Sequence, residues 1–121
     1  MARILVADDE DAVRAYVSRA LELHGFEVSV VADGGEALER LDAERFDLLL
    51  SDIVMPVMDG IALALKAGDE WPDMPVLLMT GYSAEQQRAH NLDALLAGVI
   101  AKPFTIDQIV KAVRDALGEA G

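Results

Sequence analysis

Apolar residues fall along this chain in two rhythms. Near-continuous runs of four to six, RILVA at 3 to 7, VSVVA at 28 to 32, FDLLLS at 46 to 51, PVLLM at 75 to 79 and GVIA at 98 to 101, have the length and make-up of strands buried on both faces. Between them the apolar positions recur at helical spacing: Val13, Val17, Ala20 and Leu21; Ala37, Leu38 and Leu41; a helix of about 59 to 68; and Ile106, Ile109, Val110, Val113 and Leu117. Gly25 stops the first helix, while Asp33 with Glu36, Ser83 with Gln86 and Thr105 with Gln108 have the spacing of capping boxes and open three others.

Five strand–helix units predict an α/β fold, because parallel strands need crossover helices and right-handed crossovers cover both faces of the sheet. The expected architecture is a doubly wound five-stranded parallel sheet of order 2-1-3-4-5 flanked by five helices, flavodoxin-like, with its ligand crevice at the carboxyl ends of strands 1 and 3. Asp8 and Asp9 leave strand 1 at that crevice and Asp52 leaves strand 3 there, just before the turn signals Pro56 and Gly60. Thr80 and Lys102 end strands 4 and 5 and face the same place from the far side.

Composition narrows the possibilities. The 121 residues, 53% of them hydrophobic, suit one domain spanning 1–121, with no linker and no effector domain expected. No run of eighteen apolar residues and no secretion signal occur, so the chain is expected to be soluble, cytoplasmic and without membrane contact. Cysteine is absent, which excludes disulfides and thiolate chemistry. A net charge of −12, with the ten Lys and Arg scattered singly, argues against nucleic acid as a partner.

Three carboxylates at one crevice demand a counter-charge. Two like charges about 4 Å apart repel by roughly 4 kcal/mol at an effective dielectric of about 20. A hard cation relieves this with oxygen ligands, and Mg²⁺ typically combines one or two carboxylates with waters and a phosphate group. Asp52 is then the expected nucleophile for a phosphoryl group, with the Thr80 hydroxyl and the Lys102 ammonium donating to its oxygens. The remaining polar residues invite plainer explanations. Glu10 and Asp11 suit a helix's first turn, His24 suits a helix end, and His90 lies in a polar helix. Met55, Met58, Met74 and Met79 are gap fillers, and Trp71 packs under a turn.

The segments VADDE (6 to 10), SDIVMPVMDG (51 to 60), MTGY (79 to 82) and AKPF (101 to 104) resemble the signatures of response-regulator receiver domains, and the resemblance spans the chain. It implies that Asp52 is the phosphoacceptor and that Asp8, Asp9, Asp52 and the backbone carbonyl of Val54 bind Mg²⁺. It also makes Thr80 the switch hydroxyl, brings Lys102 to the phosphoryl group and makes the Lys102–Pro103 bond cis. The implied phosphodonor is a sensor histidine kinase or histidine phosphotransferase, docking on the first helix near Arg14, Ala15 and Ser18. Receivers commonly carry Tyr or Phe three residues before the lysine; Val99 stands there, so Tyr82 is expected to transmit the change, with Val99 and Pro103 as the other switch positions. Val54 and Tyr82 are also expected to hinder an attacking water.

A narrower similarity, in DGIALAL, WPDMPVLLMTGYSAEQQRAHNLDAL and VIAKPF, is to single-domain regulators of the CpdR type. It implies a monomer or weak dimer whose output is protein docking, as an adaptor for the ClpXP protease with the ClpX unfoldase as partner. The alternatives are a constitutive interaction module that is never phosphorylated and a phosphatase. Haloacid-dehalogenase-type phosphatases want a second acid two residues after the nucleophile, where Val54 stands, and neither GxxxxGK[ST] nor GxGxxG occurs.

Overall fold

The computed structural model describes residues 1–81, 89 and 96–118. The elements in chain order are β1 (Arg3–Ala7), α1 (Asp11–Leu23), β2 (Glu27–Val31), α2 (Gly34–Ala43), β3 (Leu48–Asp52), α3 (Gly60–Glu70), β4 (Val76–Thr80), β5 (Gly98–Ala101) and α4 (Ile106–Ala116). All strand pairs are parallel, and the order is β2-β1-β3-β4-β5. The expected topology is therefore the observed one. Four helices are seen among the described residues; the fifth, expected after Ser83 with its Gln86 cap, falls outside them, as do Tyr82 and His90. Ala89 is helical and fully buried.

Strand alternation splits the core into two layers. Leu5, Ala7, Leu49 and Leu78 pack with Ala37, Leu41, Leu63 and Ala67 of α2 and α3. Ile4, Val6, Leu48, Leu50, Leu77 and Met79 pack with Val17 and Leu21 of α1 and Ile109 and Val113 of α4. Both faces being covered, β1, β3 and β4 read as nearly unbroken apolar runs. The ladder carries β3 and β4 one residue past those runs, so Asp52 and Thr80 are the last residues of their strands, with Asp52 opposite Met79 and Thr80 opposite Ala101.

Of the two expected capping boxes within the described residues, one forms in full and one in part. Thr105 and Gln108 form a complete capping box on α4. On α2, Asp33 accepts from the Glu36 amide, but the Glu36 carboxylate reaches past Asp33 to the Ala32 amide, so the expected reciprocal box is only half formed. Gly25 ends α1 at a φ of +91°, where a side chain would be strained. Met55 and Met79 are buried, and Met58, Met74 and Trp71 pack against the core from its margin.

Candidate functional site

The crevice follows from the same alternation. Asp8 continues the row of Ile4 and Val6, Asp52 the row of Leu48 and Leu50, and Lys102 follows Ile100, so three charged residues extend one core layer beyond its apolar end. β1 and β3 are neighbours, which brings the two acids together, and the Lys102 ammonium lies 3.0 Å from Asp8 Oδ2 and 3.1 Å from Asp52 Oδ1. Asp8 is fully buried and Asp52 nearly so, whereas Asp9 is exposed at the rim. Carboxylate oxygens of Asp8, Asp9 and Asp52 all lie within 4.8 Å of one another.

The two buried acids are held by backbone. The Glu10 amide donates to Asp8 Oδ1 at 2.9 Å and fixes that carboxylate against its own turn. Behind Asp52, the Gly60 amide donates to the Ile53 carbonyl at 2.7 Å, and the start of α3 presses so closely that a Cβ at residue 60 would sit 2.1 Å from the Asp52 carbonyl oxygen. Only glycine fits there. The Lys102 amide donates to the Thr80 carbonyl at 2.8 Å, tying the ends of β4 and β5, and the Lys102–Pro103 bond is cis.

The electrostatics show an unbalanced site. Burial pushes the Asp52 carboxyl up to about 6, the charge of Asp8 adds to the rise, and the Lys102 ammonium opposes it without cancelling it. Burial alone would pull the Lys102 ammonium down, but its hydrogen bond to Asp8 and the charges of Asp52 and Asp8 outweigh this and hold it above the usual lysine value. One cation thus serves two buried acids, and a third acid stands in reach. An all-oxygen donor set with excess negative charge fits a hard divalent cation.

Sequence matching agrees with this geometry. The family model of the response regulator receiver domain matches residues 4–114. The chain belongs to the response regulator receiver family. It is 39% identical to the response regulator receiver protein CpdR of Brucella abortus, over 97% of this chain and 98% of that protein. It is 35% identical to the response regulator MprA of Mycobacterium ulcerans over 95% of this chain, and spans half the length of that protein. Among solved structures, a CheY-like receiver domain protein from Methanospirillum hungatei superposes with a TM-score of 0.90 at 32% identity, covering 98% of this chain and 94% of that one. The response regulator TrrA of Thermotoga maritima, solved in complex with Mg²⁺ and BeF, superposes with a TM-score of 0.87 at 29% identity, covering 96% and 99%.

In this receiver the expected site residues separate into groups. Asp8, Asp9, Asp52 and Lys102 converge. Thr80 is buried at its strand end, and Val54 and Pro103 line the crevice with Asp9, Asp52 and Lys102. Val99 is half-buried against the layer that holds Leu78 and Leu63, packed as core. Arg14, expected on a docking face, is mostly buried and bonded to the Asp8 carbonyl and the Asp11 carboxylate. The sequence placed Lys102 opposite an incoming phosphoryl group, whereas here it already bridges the two acids. The Glu10 amide and the Gly60 contact had no sequence signal beyond turn chemistry; Arg14 had one, its i,i+3 spacing from Asp11. Among the described residues no helix is long and apolar enough to cross a membrane.

Proposed function

We propose that this chain is a single-domain phosphorylation switch of the two-component type, in which Asp52 accepts a phosphoryl group from a phosphohistidine protein and the modified surface changes its protein partners. The observation that carries it is the pair of buried acids sharing one ammonium, Lys102 Nζ at 3.0 and 3.1 Å from Asp8 and Asp52. Asp8, Asp9, Asp52 and the Val54 carbonyl would hold Mg²⁺, which when bound neutralises the acids and the oxygens of the phosphoryl group. An Asp52 carboxylate oxygen attacks phosphorus, the P–O bond of an acyl phosphate forms, and the P–N bond of the donor histidine breaks, leaving the imidazole to take a proton. Lys102, already in the crevice, turns from the acids to an oxygen of the new phosphoryl group, and the Thr80 hydroxyl donates to another. The chain itself then acts as acceptor and switch rather than as a turnover catalyst.

The finer output is that of an adaptor. Similarity to CpdR over nearly the whole length of both chains supports this reading, and the sequence resemblance favours the ClpX unfoldase as the partner. The test is incubation with Mg²⁺ and a small acyl phosphate donor. Label should appear that is acid-stable, base-labile and absent from Asp52→Ala, and purified ClpX should retain the unlabelled form in preference to the labelled one. Absence of label with partner binding intact would instead establish a constitutive interaction module.

A further inference from the structure

We propose that Arg14 is a positioning residue of the cation site: its guanidinium pins the β1–α1 turn, so that Asp8 and Asp9 meet the ion in a preset geometry, a role that presupposes the Mg²⁺ site proposed above. Arg14 Nη1 donates to the Asp8 carbonyl at 2.6 Å, and Nη2 donates to the Asp11 carboxylate. The fork thus spans the turn from its first acid to the first residue of α1. Among the described residues, the side-chain donor to the Asp8 carbonyl is this guanidinium, while the Asp8 side chain takes the Glu10 amide on one oxygen and Lys102 on the other. Asp8 is fixed at carbonyl and carboxylate alike.

The alternative origin for an arginine here is packing. Only 18% of the Arg14 side chain is exposed, whereas Asp11 is 94% exposed. An ion pair with one partner this exposed contributes little to stability. The carbonyl bond is different: it reaches the backbone of a metal-ligating residue, the place where outer partners orient ligands and change affinity by tenfold or more. Net charge predicts the opposite sign, since deleting a cation beside the site would tighten binding of another cation. Orientation and repulsion therefore separate cleanly.

Calorimetric titration of Mg²⁺ into the unphosphorylated protein decides, using the parent, Arg14→Lys and Arg14→Met, with urea unfolding in EDTA as the control. Positioning predicts Kd raised roughly tenfold in Arg14→Met and less in Arg14→Lys, whose single ammonium can reach the carbonyl but cannot also hold Asp11, with the unfolding midpoints nearly unmoved. An unchanged or tighter Kd in Arg14→Met overturns the proposal while leaving the cation site standing, as does a stability loss with Kd unchanged. Failure of the parent to bind Mg²⁺ overturns both. Should Arg14→Met fold poorly, the order of parent and Arg14→Lys still decides, because repulsion gives these two the same Kd.

Discussion

The two ends of the sheet use the same ingredients to opposite effect. At the amino end, Arg3 lays its guanidinium over the Phe46 ring, 4.8 Å from the centroid, and donates to the Glu44 carboxylate and the Arg45 carbonyl, both at 2.7 Å. Arg40 takes the other Glu44 oxygen at 2.7 Å, and the Arg3 amide takes Asp47. Hydrogen bonds from Arg40 and then Arg3 hold the Glu44 carboxyl below its usual range. At the carboxyl end, two buried acids divide one ammonium and Asp52 is held well above its usual range. A half-exposed acid met by two guanidiniums stabilises the fold; buried charges left in excess store unfavourable energy that a bound ion or a covalent change can release. The direction of the carboxyl shift tells the stabilising end from the chemical one.

The contrast is broken most forcefully at Lys102. Arg3 has neighbours that could partly replace it, but among the described residues Lys102 is the one cation between Asp8 and Asp52, so Lys102→Met leaves two buried like charges without it. A loss of about 3–5 kcal/mol in urea unfolding with EDTA present is expected, the range for breaking a buried pair by removing one partner. Excess Mg²⁺ should recover a large part of it and raise the melting temperature more in the variant than in the parent. A loss below about 1 kcal/mol would mean that the acids are not mutually burdened, and the difference between the ends would vanish.

Asp52 tests the same imbalance with the opposite sign. Burial pushes its carboxyl up to about 6 in the folded chain, well above the ordinary carboxylate range. Because the folded value is raised, the contribution of this group is fully present below about pH 4 and is lost as pH climbs through about 6. In metal-free protein at pH 7, Asp52→Asn should therefore be more stable than the parent by roughly 2–3 kcal/mol, with the gap closing between pH 6 and 4. Glu44 runs the other way, its contribution being present above the ordinary glutamate range and lost as pH falls through the lowered folded value. Urea midpoints across pH 4–8 measure both slopes, and a parent–variant gap that does not change with pH contradicts the assignment for Asp52.

How much of this was legible depends on the range of the forces involved. Strand order and the gathering of Asp8, Asp52 and Lys102 follow from period-two alternation and parallel crossovers, which are written locally in runs such as LLL and VLLM. The apolar runs themselves stop at Ser51 and Met79, one residue short of the ladder, which carries each strand on to the polar residue that closes it, Asp52 and Thr80. The Lys102 bridge joins residues 94 apart, and nothing in AKPF says whether its ammonium waits for an anion or already has two. Glu36 at capping-box spacing could reach either of two amides, and the local backbone chose Ala32. Val57, with a φ of +70° in the loop after β3, was invisible, since a β-branched residue is among the least suited to that conformation.

The smallest expected effect lies at the amino end, and its smallness is what sharpens the comparison. Arg3→Met keeps an apolar stem against Phe46 but removes the guanidinium from Glu44, Arg45 and the ring. Each lost contact is partly exposed, so surface ion pairing and the cation–π contact together suggest about 1–2 kcal/mol, shrinking as salt is added. Arg40 remains on Glu44, so no charge is stranded there. The Mg²⁺ affinity should stay at the parental value, because the lesion lies at the opposite end of β1 from Asp8. Equal losses in Arg3→Met and Lys102→Met, or a changed Mg²⁺ affinity in the former, would show that charge at the two ends is coupled through the strand rather than divided between stability and chemistry.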